Sequence, residues 1–428
     1  MTTFTACPSD RGVLGRIAVP GDKSVSHRAL LLAARAEGRS RITGLSVGKD
    51  VLATLRAIEQ FGAATGRNGD GRLVVDGGAA RLKEPESVVD VGNSGTGIRL
   101  LAGWSTGIDG LTILTGDESI AARPMGRVVE PLQQMGARID GRHGGRLPPV
   151  IVRGGGLHGI DYRPPVPSAQ VKGAILLAGL TAEGETTVRE EVPTRAHTEE
   201  MLKLCGADVT VSPGAVAVRR STLSPFDLDV PGDPSQAAFW IVAACITFGS
   251  DVTVERVYVG AGRTGFLDVL TRMGADIELV DKDAGSSTAT IRARFGPLKA
   301  TDVGGDEIPA LIDEIPALAV AAAYAHGTTT FSGAAELRVK ESDRVSSMTA
   351  ALAAIGADCE SRPDGLIVHG GGGRPLPGGA VDSAGDHRIA MAGAVAALPA
   401  AGPVVISGWD AVATSYPGFE EEFERCSS

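Results

Sequence analysis

The sequence predicts an α/β protein of two domains, each built from three βαβαββ repeats. Three observations predict it. A helix-like stretch closing on an apolar residue plus Gly-Ala occurs five times: IEQFGA ending at Ala63, LQQMGA at Ala137, LKLCGA at Ala207, LTRMGA at Ala275 and LAAIGA at Ala357. A polar cluster followed by an apolar helix occurs six times, starting near Ser24, Thr96, Ser168, Ser235, Glu314 and Asp386, at intervals of 67 to 79 residues. Finally, Val19-Pro20-Gly21-Asp22 recurs as Val230-Pro231-Gly232-Asp233, 211 positions later and close to half of the 428 residues.

Each element has its own signal. The Gly-Ala ending reads as a helix stopped by a tight glycine turn. Two short β-like runs follow in four of the five copies, such as DVTV then AVAVRR, or DIELV then TATIRARF, and these read as a hairpin. The first copy offers one clear run, LVVDG. Each polar-headed helix is followed by a glycine and a β-rich run: RSRITGL, LTILTG, TTVRE, DVTVERV, TTTFSG and VVISG. Six such units share 428 residues, about 71 each. The last copy lacks its Gly-Ala hairpin, and the N-terminal strand GRIAV is expected to complete it. Residues 1–20 therefore belong with 231–428, and 21–230 form the other domain.

Composition narrows the function. Glycine fills 58 of 428 positions, about 14%, while aromatic residues reach only 4%, so the core must be aliphatic and small-sided. The formal charge of −10, from 41 basic and 51 acidic residues, argues against nucleic acid or an anionic membrane as partner. A small anionic substrate needs only a few placed cations. The five cysteines are scattered without a CxxC pair, so neither a zinc site nor a disulfide framework is expected and a reducing cytoplasm fits. MTTFTACPSDRG has no apolar core of a secretory signal. Ile389–Ile406 approaches membrane-spanning length but contains Pro399, Gly402 and Pro403, and reads as buried helix, turn and strand.

The polar clusters carry the chemistry. A helix N-terminus bears about half a positive charge and unpaired N–H donors, so several aimed at one cleft make an anion site in an acidic protein. Lys23, Ser24 and Arg28 open the first; Asn93, Gly95 and Thr96 the second; Ser168, Ala169 and Gln170 the third. Asp313 and Glu314 open the fifth, and Asp386, His387 and Arg388 the sixth. The second helices add Arg123, Arg195, Lys340, Glu341 and Arg344, with Glu341 and Arg344 at the spacing that shares a helix face. Taken singly, most such residues are plain caps or solvated pairs. GNSGTG lacks dinucleotide-binding spacing, GDKS lacks the upstream glycine of a P-loop, and no HExxH or tight His/Cys/carboxylate cluster suggests a metal. Recurrence at equivalent points of a repeat favours a shared site.

PGDKSVSHRALLLAA, GNSGTGIRLLAG, ARPMGRVVEPLQQMGA, PVPSAQVKGAILLAGL, IDEIPALAVAAA, LRVKESDR and DHRIAMA resemble the corresponding segments of the 5-enolpyruvylshikimate-3-phosphate synthases, in order, from Val19 to about Phe419. The resemblance implies an inside-out α/β barrel in each domain, with helices inside and the active site in the cleft between domains, assembled by closure. It implies transfer of enolpyruvyl from phosphoenolpyruvate to the 5-hydroxyl of shikimate 3-phosphate, with release of phosphate through a tetrahedral intermediate. This is a step of the shikimate pathway to chorismate and the aromatic amino acids, and a target of glyphosate. No cofactor is implied, and a cytoplasmic monomer is expected.

By the same resemblance, shikimate 3-phosphate would be held by Lys23, Ser24, Arg28, Ser168, Ala169, Gln170, Arg195, Asp313 and Lys340. Phosphoenolpyruvate would be held by Lys23, Gly95, Arg123, Gln170, Arg344, His387 and Arg388. Asp313 would take the proton of the 5-hydroxyl, and Lys23 and Glu341 would move protons at the enolpyruvyl carbon. Three features depart from the usual pattern. Thr414 stands in AVATSYP where many members carry a phosphoenolpyruvate-contacting Lys. The third cluster is Ser-Ala-Gln, and Arg195-Ala196-His197-Thr198-Glu199 resembles the glyphosate-tolerant class. Gly95 instead resembles the sensitive form, in which an alanine would crowd the pocket.

The sister transferase acting on UDP-N-acetylglucosamine typically carries a loop Cys five residues before the Arg-Pro, where Glu118 stands here. An RNA-binding repeat protein would want basic and aromatic surface. A phosphometabolite sensor would not need Asp313 and Glu341 together.

Overall fold

The computed structural model describes residues 2–427, and the chain divides into two compact units. One runs from Gly21 to Val230; the other combines the segment ending at Pro20 with everything from Pro231 onward.

Within each unit the inner layer is helical. Pro234–Ile246, Ile315–Tyr324 and His387–Ala397 are buried at every residue, and Lys23–Arg35 at every residue but Lys23. A helix apolar on all sides can be stable only when surrounded by protein. Small side chains permit the approach this demands. A Cβ on Gly103 would lie 2.1 Å from the Ala174 carbonyl oxygen, so Gly95–Ser105 and Ala169–Gly179 meet backbone to backbone there. Trp104 fills the neighbouring space and donates its Nε1–H to Leu31 O at 2.9 Å, tying that helix to Lys23–Arg35.

The sheets form the outer layer and repeat one plan. In the first, Asp227–Asp229 runs parallel to Gly38–Thr43, which pairs antiparallel with Leu73–Gly77, and that strand with Ala64–Arg67. The same order recurs in four other sheets. Strands such as Leu147–Arg153 alternate buried and more exposed residues, presenting one face to the helices. The five Gly-Ala turns are explained by backbone: Gly62, Gly136, Gly206, Gly274 and Gly356 all have φ between 72° and 102°, where a side chain is strained.

Three sequence expectations require correction. GRIAV does not complete the last repeat. Leu14–Ile17 runs parallel to Asp251–Tyr258 as the edge of the fourth sheet. The sixth sheet is finished by Thr3–Ala6, antiparallel to Val404–Ser407, because Phe4 and Ala6 alternate inward and Phe4 stacks on Trp409 at 4.2 Å. The first repeat has a full hairpin, its missed strand being Ala64–Arg67, whose ATGR sequence has no apolar alternation. Finally, Arg123, Arg195, Lys340 and Glu341 lie in loops just ahead of the second helices rather than on them, while Arg344 is the first residue of Arg344–Ala354.

The segment of near membrane-spanning length resolves into the helix His387–Ala397 and the strand Val404–Ser407. Among the described residues no helix is long and apolar enough to cross a membrane.

Candidate active site

In the unit Gly21–Val230, the head of each inner helix carries its polar cluster. Asp22 caps the first helix by accepting the Val25 N–H at 2.8 Å. Lys23 follows, and its Nζ lies 2.9 Å from Asp50 Oδ2 at the head of Lys49–Gln60. Arg28, only 1% exposed, donates Nε to Thr198 Oγ1 at 2.7 Å and Nη1 to Ser24 O at 3.0 Å. Its Nη2 reaches Ala169 O at 3.4 Å, so one guanidinium joins the first and third clusters. Gln170 donates to Thr96 Oγ1 at 3.1 Å, joining the third cluster to the second, while its buried Oε1 has no hydrogen-bond partner.

Ser94 and Ser168 are, like Asp22, plain caps. Ser94 accepts from Gly97 N–H and Ser168 from Val171 N–H. Arg123 is buried against the second helix: a Cβ at Gly95 would fall 2.2 Å from its Nη1. Arg195 is half-buried in the loop before His197–Leu204. His27 is fully buried among these cations. Burial first, then Lys23 and Arg28, holds its imidazole well below the ordinary histidine range.

In the other unit the cluster centres on Arg344, which is 1% exposed. Its Nε donates to Asp386 Oδ2 at 2.7 Å, its Nη1 to Asp313 Oδ1 at 3.2 Å, and its Nη2 to Glu341. Burial opposes the charge, but Asp386, Glu341 and Asp313 outweigh it and raise the guanidinium above its ordinary value. Lys340 Nζ lies 3.7 Å from Asp313 Oδ1. Burial pushes that ammonium below the ordinary lysine range, with Asp313 pulling the other way. Arg388 donates Nη1 to Asp313 O at 2.9 Å, and buried His387 has Nδ1 4.0 Å from Asp386 Oδ1. Asp386 also caps its helix through Arg388 N–H. Thr414 donates its hydroxyl to Ala411 O at 2.7 Å, at the end of Trp409–Thr414.

Apart from Arg28, in the second turn of Lys23–Arg35, the cations and carboxylates expected from the sequence sit at or just ahead of a helix start in their own unit. The sequence reading missed their partners, Asp50 and Thr198, and the wholly buried Arg263. The available signal was the repeat itself. Lys23 and Asp50 are 27 residues apart, as are Lys172 and Glu199; Asp233 and Arg263 are 30 apart, and Asp313 and Arg344 are 31. A charge at the head of a first helix meets its opposite at the head of the second.

This architecture is shared with enolpyruvyl transferases: the Streptomyces tendae enolpyruvyl transferase NikO superposes with a TM-score of 0.78 over 99% of this chain and 97% of its own, at 17% identity. At closer range, the Acinetobacter baumannii EPSP synthase gives a TM-score of 0.88 and 42% identity over 100% of this chain and 98% of its own. The 3-phosphoshikimate 1-carboxyvinyltransferase of Pelotomaculum thermopropionicum is 49% identical over 415 residues, 96% of each chain. That of Gloeobacter violaceus is 49% identical over 427 residues, 99% of this chain and 98% of its own. The model of the EPSP synthase (3-phosphoshikimate 1-carboxyvinyltransferase) family matches residues 9–423, and the chain belongs to that family.

Proposed function

We propose that this chain transfers the enolpyruvyl group of phosphoenolpyruvate to the 5-hydroxyl of shikimate 3-phosphate, releasing phosphate. Beyond family membership, the observation that carries this reading is buried Arg344, held among Asp313, Glu341 and Asp386 with Lys340 beside it. Binding an anion calls for cations; moving protons calls for carboxylates and an amine at the same place. A pure binding module needs only the first.

In the proposed addition step, Asp313 accepts the proton of the 5-hydroxyl as its oxygen attacks C2 of phosphoenolpyruvate. Lys23 or Glu341 delivers a proton to C3, which becomes a methyl group. In the elimination step a methyl proton is taken back, the double bond re-forms, and the C2–O bond to phosphate breaks. Arg123, Arg344, Arg388 and Lys23 would neutralise the phosphoenolpyruvate anion, with Gly95, Gln170 and His387 shaping its site. Arg28, Ser24, Ser168, Ala169, Gln170, Arg195 and Lys340 would hold shikimate 3-phosphate. The reading requires groups from both units to reach one pair of substrates. It carries with it a cytoplasmic, monomeric enzyme that uses no nucleic acid and no cofactor.

Phosphate release, assayed with shikimate 3-phosphate and with UDP-N-acetylglucosamine as acceptor, tests it. Release is expected with the first only, and the hypothesis fails if shikimate 3-phosphate gives none. Glu341→Gln and Asp313→Asn enzymes should still bind substrate but turn over at least about a hundredfold more slowly, the usual scale of general acid–base catalysis.

A further inference from the structure

Arg263 lies two residues ahead of the helix Gly265–Arg272, where Arg195 lies two ahead of His197–Leu204. It is 1% exposed where Arg195 is half-buried, and it is turned onto acids of its own unit. Its Nη2 donates to Asp233 Oδ1 at 2.8 Å and to Ser235 Oγ at 3.1 Å, and its Nη1 lies 3.5 Å from Glu314 Oε1. Ser235 donates its hydroxyl to the same Glu314 oxygen. The guanidinium therefore ties together the heads of two buried helices, Pro234–Ile246 and Ile315–Tyr324.

Glu314 is held for a purpose other than capping. It occupies the N-cap position of Ile315–Tyr324 yet its side chain makes no cap hydrogen bond, and its buried Oε2 has no hydrogen-bond partner among the described residues. A buried carboxylate needs a cation, and Arg263 is within reach of this one. The preceding residue is Asp313, whose carboxylate is drawn towards Arg344 and Lys340. Two adjacent carboxylates are thus pulled by different cations, and the turn between them is fixed from both ends.

We propose that Arg263 is a positioning residue, fixing through Glu314 the direction in which the Asp313 carboxylate points. The proposal rests on Asp313 acting as the base described above. Small displacements of a catalytic group carry large rate penalties, so the effect belongs in turnover rather than in substrate capture.

The test is a double-mutant cycle on the full chain. Arg263→Lys keeps a positive charge but loses the fork that reaches Asp233, Ser235 and Glu314 at once. It is expected to lower kcat at least about tenfold in the Asp313 enzyme, leave both KM values within about twofold, and lower kcat no further in an Asp313→Asn background. Glu314→Gln, which cuts the same link from its other end, should behave alike and serves if Arg263→Lys does not fold. An equal loss in both backgrounds, or no loss in the Asp313 enzyme, overturns the positioning role. Near-normal turnover of Asp313→Asn alone overturns the role of Asp313 itself, and this proposal with it.

Discussion

Lys23 Nζ sits 2.9 Å from Asp50 Oδ2, with the lysine side chain 14% exposed and the aspartate 4%. In the proposed reaction Lys23 would meet phosphoenolpyruvate with a carboxylate already beside its ammonium. Asp50 orients the ammonium and offsets the cost of holding it beside Arg28. Asp50→Asn should lower kcat/KM by about tenfold, a loss of about 1.4 kcal/mol of transition-state stabilisation. Steady-state kinetics checks this, and unchanged kinetics would remove the link.

Gly95 has no room to spare. A methyl group there would fall 2.2 Å from Arg123 Nη1 and 3.0 Å from Arg99 Nη1. Both obstacles are the ends of flexible side chains, so Gly95→Ala should fold and displace Arg123. The expected outcome is a KM for phosphoenolpyruvate raised several-fold, with the KM for shikimate 3-phosphate little changed. Equal rises in both would show that the crowding is not confined to the Arg123 side.

His27 makes the first unit acid-sensitive. Its Nδ1 lies 2.8 Å from Thr54 Oγ1, and burial with Lys23 and Arg28 holds its pKa far below the unfolded value of about 6.5. Between those two values the unfolded chain binds a proton that the folded chain refuses, so stability falls as pH falls. The stability this group contributes is present above about pH 6.5 and is lost progressively as pH falls below it. His27→Gln should therefore show a smaller drop in Tm between pH 7 and pH 5 than the native chain. An identical drop would assign the acid sensitivity elsewhere.

Lys172 is 1% exposed and bonds to Glu190 Oε2 and Glu199 Oε1, each at 2.7 Å. Glu190 and Glu199 flank the loop that carries Arg195. Lys172→Met would leave two carboxylates facing each other with their cation gone. Urea unfolding should show a loss of about 3–5 kcal/mol, as when one partner of a buried pair is removed. A loss below 1 kcal/mol would mean that water or a proton compensates the pair easily.

The repeat was legible because local physics writes it. Each glycine that ends a helix at positive φ, and each wholly apolar helix, leaves a mark in the chain itself, so the six units and the domain crossings near Pro20 and Pro231 could be read directly. The candidate ligands were legible for a related reason: charges at helix heads stand out against alanine-rich helices.

What the chain could not say locally was which distant segment satisfies which. Thr3–Ala6, rather than the more apolar GRIAV, closes the sixth sheet because only it sets Phe4 against Trp409. Arg263 looked like any loop arginine until folding buried it against Asp233 and Glu314. The unit, its number and its polar heads are written in the chain, since these follow from periodicity and turn chemistry. Strand partners, and the burial of the charge pairs, were settled only on folding, because edge pairing and burial depend on what arrives from tens or hundreds of residues away.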